Sequence, residues 1–447
     1  MRRELLGLIL VASCGSPTID VTLRVPAGQH PLREADHVWL SLLDSSGQTR
    51  YTRDAAPSVD RLQLASILPG TGYAIALSAT FAGDTIAQGR SCPFDLAAGA
   101  PAPTVPLYFS LVGRFAPAQP PSAVRFGATA FFDGTTPTFA GGAAPGGPSL
   151  ASSDAYDAVA GEFRAGLLLN AARAGAQAVT LADGTVLLFG GAAPGAVGIE
   201  SIAGGKATPQ ATGFPPDQVE HAAVAFPDGT VLITGGHGAG AAPTAQAFLV
   251  RQGGTVVDPL TGLLRARARH TATLLGGAAG AAAVIAGGRD AVGPVDVIEL
   301  YTPSGGFEPS GALLTPRFDH SATLLASGLV LVVGGTGADG QPVARAELID
   351  PLQRSAHLAG VLRTPRAQHT ATLLPSGRVL ITGGLGGDGA PTASVEIFDP
   401  TLGAAGDFVA AQPLSSPRSG HAALPLCDGT LLLSGGGPGA DLYTPAP

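Results

Sequence analysis

A chain of 447 residues has room for two or three domains of ordinary size. With 45% hydrophobic residues it can bury a large core, which excludes disorder as its overall state despite 64 Gly and 38 Pro. Charged residues make up only 13% and the net charge is −8, which excludes a general nucleic-acid binder, because phosphate neutralisation needs a basic face. Lys occurs once, at Lys206, so nearly every basic position carries the planar fork of Arg.

The first residues read as an address. Arg2 and Arg3 form a positive start, and Leu5 to Ala12 form an apolar run far short of the about 20 residues a spanning helix needs. The run ends in Val11-Ala12-Ser13-Cys14, which resembles the lipobox of bacterial lipoproteins. That resemblance implies cleavage after residue 13, lipidation of Cys14 and anchoring of residues 14–16 to a membrane of the bacterial cell envelope. Gly15 after the Cys points to the outer membrane. The alternative is an ordinary secretory signal. No later stretch is long and apolar enough to span a bilayer, so the chain is expected to sit in an oxidising compartment.

Residues 17–106 alternate with period two, as half-buried strands do. Ile19, Val21, Leu23 and Val25 share one face; so do Val38, Leu40 and Leu42, with the single Trp39 opposite. Asp44-Ser45-Ser46-Gly47 is a turn cluster, and Leu62 and Leu64 begin a further strand. Leu68-Pro69-Gly70-Thr71-Gly72-Tyr73, followed by Ile75, Leu77 and Ala79, resembles the tyrosine-corner strand of fibronectin-type or immunoglobulin-like sandwiches. The expected module is a small β-sandwich, acting as a spacer or in adhesion.

From residue 121 one phrase recurs, clearest in Arg366-Ala-Gln-His369-Thr-Ala-Thr-Leu-Leu-Pro-Ser-Gly377-Arg-Val-Leu-Ile-Thr-Gly383-Gly384. Gly-Gly pairs begin at Gly141, Gly190, Gly235, Gly287, Gly334, Gly383 and Gly435, which makes seven units of about fifty residues. In each, a strand after the Arg and His turns at a tight Pro-Ser-Gly-type loop into a hairpin partner that ends at the double Gly. A third strand follows at Val395-Glu396-Ile397-Phe398-Asp399-Pro400, at Glu347 to Pro351 and at Glu299 to Pro303, and a fourth near Phe307 or Phe408. After Gly191 no third strand is recognisable.

These residues resemble the kelch family, which implies an all-β fold with a seven-bladed β-propeller over residues 110–447. Phe163 and Phe307 stand where the family carries Trp. The last unit stops at Asp441 to Pro445, and its missing fourth strand has a counterpart upstream in Gly113-Arg114-Phe115-Ala116-Pro117, so a strand near 110–117 should complete the last blade.

Five His, at 221, 270, 320, 369 and 421, recur at one repeat position, which spreads them around a ring instead of gathering them as metal ligands; each is expected to bond backbone between blades. The repeats also resemble the central domain of galactose oxidase, which implies a copper held by two Tyr and two His with a Cys–Tyr crosslink. Here the repeats hold only Tyr156, Tyr301 and Tyr443, all in third strands, and Cys427, so no copper or other cofactor is expected. Arg125, Arg173, Arg267, Arg317, Arg366 and Arg418 open six units, with Gln218 in the remaining one. In the kelch family this position lies near the mouth of the central channel, and a ring of such forks would bind a carboxylate, a sulfate or an acidic loop. The competing reading pairs each Arg with an acid such as Glu299, Glu347 or Glu396 of an adjacent blade. Asp339 and Asp388, in loops after the Gly-Gly pairs, read as turn residues. Cys92 and Cys427 are the thiols left after lipidation and a possible disulfide.

With no clustered nucleophile, acid–base pair or metal set, the expectation is a non-enzymatic, lipid-anchored envelope protein whose propeller binds a protein or a glycan. The alternative is a sugar-processing enzyme resembling the kelch-type sialic acid mutarotases or a degenerate galactose oxidase. It needs an acid or base beside the channel Arg, and Glu220, next to the repeat His221, is the carboxylate singled out for that role.

Overall fold

A computed structural model describes residues 19–447, apart from 56–60, 65–66, 99–100, 102, 194–195, 211–212 and 277–280. The leader and Cys14 therefore lie outside the described residues. The chain forms two compact units, one running to Val112 and including Cys427–Gly429, the other holding the rest.

In the first unit, Ile19–Arg24 pairs antiparallel with Arg61–Leu64 and parallel with Thr104–Tyr108. A second sheet runs Thr49–Ala55, His37–Leu43, Gly70–Phe81, Asp84–Arg90 and Ser110–Leu111, with Phe94–Leu96 pairing off the long strand. The alternation reads out as burial. Ile19, Val21, Val38, Leu40, Leu42, Ile75 and Leu77 are all within 2% of full burial and form one core. The alternation ends earlier than its pattern suggests, because the strand stops at Arg24 and leaves Val25 exposed. Tyr73 Oη donates to Leu68 O at 3.2 Å, tying the entry of its strand to the preceding loop.

The second unit holds seven four-stranded antiparallel sheets. Their first strands, beginning with Phe126–Asp133 and ending with Ala422–Pro425, contact one another in sequence order, and the first also contacts the last. The ring is closed. Arg114–Ala118 supplies the outermost strand of the final sheet, paired with Ala440–Thr444, so no sheet edge is left for want of a strand. Second strands such as Val231–Thr234, Val330–Val333 and Val379–Thr382 are buried at every residue, because neighbouring sheets cover both faces; this is why they read as unbroken apolar runs. The Gly-Gly pairs join neighbours. Gly383 and Gly384 take φ of +59° and +105°, Gly384 N–H donates to Arg418 O of the next repeat at 2.8 Å, and a Cβ on Gly383 would stand 2.5 Å from that oxygen.

The second repeat corrects one expectation. Its third strand exists, as Ile199–Ala203, followed by Lys206–Gln210. It lacks the aromatic-Asp-Pro ending but keeps buried Ile199 and Ile202 and an acid, Glu200, at the usual register.

Candidate functional site

The six repeat Arg are structural. All are at most 2% exposed, and each meets an acid of its own repeat: Arg125–Asp154 (2.8 Å), Arg173–Glu200 (2.7 Å), Arg267–Glu299 (2.5 Å), Arg317–Glu347 (2.5 Å), Arg366–Glu396 (2.8 Å) and Arg418–Asp441 (3.0 Å). Each also donates to the carbonyl of the first Gly of its pair, as Arg366 Nη1 does to Gly383 O at 2.9 Å. The expectation of an open ring of anion-binding forks is therefore corrected, because a guanidinium fully enclosed by a carboxylate and carbonyls has no face left for a ligand. The partner sheet is corrected too: the acid comes from the same repeat, not an adjacent blade. In the third repeat Gln218 Nε2 takes over the carbonyl bond, to Gly235 at 2.6 Å. Phe248 stands there at the register that carries the acid elsewhere, opposite Ile233 as Glu396 is opposite Ile381. Charge and countercharge are absent together, so neither is buried alone.

Four of the five repeat His join neighbouring sheets through side-chain hydroxyls, while His221 has no hydrogen-bond partner on its ring among the described residues. His270 Nε2 lies 2.8 Å from Thr234 Oγ1, His320 Nε2 3.1 Å from Thr271 Oγ1, His369 Nε2 2.8 Å from Ser321 Oγ and His421 Nε2 2.8 Å from Thr382 Oγ1. Burial pushes His221 down to about 4, and burial beside Arg317 and Arg418 pushes His320 and His421 down to about 3. Cys92 and Cys427 are joined, with Cα atoms 4.9 Å apart.

The polar cluster that faces solvent lies one step along from the Arg. Two residues after each Arg, or after Gln218, the backbone is left-handed in all seven repeats: Gly127, Gly175, Glu220, Arg269, Asp319, Gln368 and Gly420. The peptides hydrogen-bond from sheet to sheet: Arg269 N to Glu220 O (2.9 Å), Asp319 N to Arg269 O (3.2 Å), Gln368 N to Asp319 O (3.0 Å), Gly420 N to Gln368 O (2.8 Å) and Gly175 N to Gly127 O (2.9 Å). These residues therefore encircle the ring's axis. Three repeats use Gly, for which this conformation carries no penalty; four use residues for which it costs on the order of 1 kcal/mol each.

Those four form one chain of polar contacts. Glu220 accepts from His237 Nε2 at 3.1 Å and from Arg269 Nη2 at 2.6 Å; Arg269 Nη1 and Gln368 Nε2 donate to Asp319 Oδ2 at 3.1 and 3.0 Å. His237 and Arg289 both follow Gly-Gly pairs, and their backbones bridge to Val219 and Ala268, the neighbours of Glu220 and Arg269. Arg289 is exposed and its guanidinium lies 5.3 Å from the centroid of Phe318, with Arg269 5.9 Å from the same ring. The two carboxyls are driven apart. Burial pushes Glu220 up, but the hydrogen bond and charge of Arg269, with help from His237, outweigh it and the net shift is downward. At Asp319 burial dominates and the net shift is upward, against Arg269 and Gln368. Glu220 is thus shifted toward its ionised form and Asp319 toward its protonated form.

Sequence reasoning singled out Glu220 and missed its partners. The signal was present, since one position holds Gly in three repeats and Glu, Arg, Asp and Gln in four, while Arg recurs two residues before it in six repeats and His directly after it in five.

No protein-family model and no curated protein matches the chain. Among solved structures it is similar to a novel fungal alcohol oxidase of the AA5 family in complex with copper, at 18% identity and a TM-score of 0.59, over 75% of this chain and 76% of that one. At that identity the likeness shows the fold, an all-β structure like the galactose oxidase β-propeller. The expectation of a protein that is no enzyme is corrected against this likeness, since the similar structure is that of an oxidase.

The oxidase's copper does not fit these residues. Tyr156, Tyr301 and Tyr443 are at most 3% exposed in three different sheets, Cys427 is consumed in a disulfide, and the repeat His face separate seams. Among the described residues no group of three or more His, Cys, Asp or Glu is placed to hold a metal ion.

Proposed function

We propose that the chain is a sugar-processing enzyme built on a seven-bladed, kelch-type propeller, working by acid–base chemistry at the axial cluster. The observation that carries this reading is the chain His237–Glu220–Arg269–Asp319–Gln368, the last four of which stand on four consecutive repeats at backbone positions that disfavour them. The reaction it suits is interconversion of the anomers of a sugar that bears a carboxylate. Arg289, braced on Phe318, is the anchor for that carboxylate. Glu220 removes the proton of the anomeric hydroxyl as the carbonyl forms and the bond to the ring oxygen breaks; Asp319 gives a proton to that oxygen. Reclosure on the other face reverses both transfers, so no electrons change hands and no oxidant is needed. His237 and Arg269 position Glu220 and hold it ionised.

We further propose that Cys14 is lipidated and anchors the enzyme to the bacterial envelope, with the N-terminal unit, read as an immunoglobulin-like or fibronectin-like sandwich, next to the membrane. The test of the activity measures anomer exchange of N-acetylneuraminate and glucuronate by magnetisation-transfer NMR, with glucose as the neutral comparison. Exchange of an acidic sugar above the buffer rate is expected. Oxygen uptake on neutral sugar alcohols after copper addition, with no exchange, would overturn the reading.

A further inference from the structure

Trp39 is the only Trp of the chain, and it stands 41% exposed on the outward face of His37–Leu43, opposite the core residues Val38 and Leu40. An indole in that state exposes apolar surface that folding would otherwise bury. Its neighbours across the sheet are polar. Directly across the neighbouring strands it is paired with exposed Asp54 on one side and Ser78 on the other, and Ser78 is paired in turn with Gln88. The next row along the strands holds Thr52, Ser41 and Ala76, all small, with Ser41 and Thr52 hydroxyls 3.2 Å apart. His37 lies 6.1 Å away in a nearly parallel plane, tilted by 19°.

From this juxtaposition we propose that the outward face around Trp39 is a second sugar-binding site, one that takes a neutral polysaccharide chain. The indole offers the apolar plate on which the C–H face of a pyranose stacks, while Asp54 and Ser78 beside it offer hydrogen-bonding groups for its hydroxyls. The row Asp54–Trp39–Ser78–Gln88 crosses four strands, about 14 Å at the usual strand spacing, so it fits several consecutive sugars better than one. Asp54, paired directly with the indole, disfavours an acidic polymer; the exposed Arg90, paired with Ala76, stands one row further along. The proposal does not depend on the chemistry of the axial cluster.

Because the chain has one Trp, its fluorescence reports this site alone. The full-length chain is titrated with a soluble β-glucan, a galactan, a xylan and polygalacturonate, and the same polymers are cast into native gels. A saturable change in Trp emission with at least one neutral polymer is expected, together with retardation in that gel. Trp39→Ala should weaken that retardation by about tenfold or more. Glu220→Gln should leave it unchanged. No response to any neutral polymer, response to polygalacturonate alone, or equal retardation of Trp39→Ala would overturn the proposal.

Discussion

A guanidinium in this ring is worth most where it is least accessible. Arg366 sits at 0% exposure between Glu396, Gly383 O and Ser394 O, and Glu396 also accepts from the backbone of Arg363 and Thr364. Arg366→Ala leaves the carboxylate buried without its countercharge, so urea unfolding should show a loss of about 3–5 kcal/mol. Arg366→Met with Glu396→Leu should cost much less. A binding role for this residue predicts the opposite, a stable variant with a lost ligand. The buried His give the pH sign. Their native values lie below the unfolded 6.5, so the unfolded chain binds more protons as pH falls. Their contribution is complete above about pH 6.5 and lost progressively below it, toward about 3. Urea midpoints should therefore fall between pH 7 and 5, and His320→Gln with His421→Gln should flatten that fall; an unchanged slope would contradict the assignment.

At the scale of the sheet, the third repeat is a natural double substitution. Gln218 is 3% exposed and Phe248 holds the acid's register. Gln218→Arg alone buries an unpaired charge and should cost about 3 kcal/mol or more. Adding Phe248→Glu should recover most of that loss, and the coupling is read from a double-mutant cycle; independent effects would contradict the pairing. The sheet is also where sequence is most readable. Seven copies of the Gly-Gly pair and the buried second strand expose a four-strand unit, because a fold that repeats must repeat its turns and apolar runs. The third strand Ile199–Ala203 escaped notice since only its ending, not its buried residues, departs from the pattern. Depth was not legible: a repeat period gives the position of Arg366 along the chain, whereas its enclosure depends on a carboxylate thirty residues away.

For the whole molecule, ring closure turns chain-distant residues into neighbours. Glu220 and Gln368 share one polar network only because four successive sheets bring their first strands to the axis. Symmetry supplies the scaffold, and departures from symmetry supply the chemistry: the seven-fold position is Gly wherever nothing is required of it and charged or amide where the cluster forms. That asymmetry singles out one arc of the ring as the proposed place of reaction. The disulfide from Cys92 to Cys427 adds a covalent tie across 335 residues of sequence. The most direct measurement is the rate of anomer exchange of a carboxylated sugar by the wild-type chain and by Glu220→Gln. Loss of the proton acceptor should cut the catalysed rate by about 10²–10⁴ while the unfolding midpoint stays near that of the wild type. Equal rates in the two proteins would contradict the account.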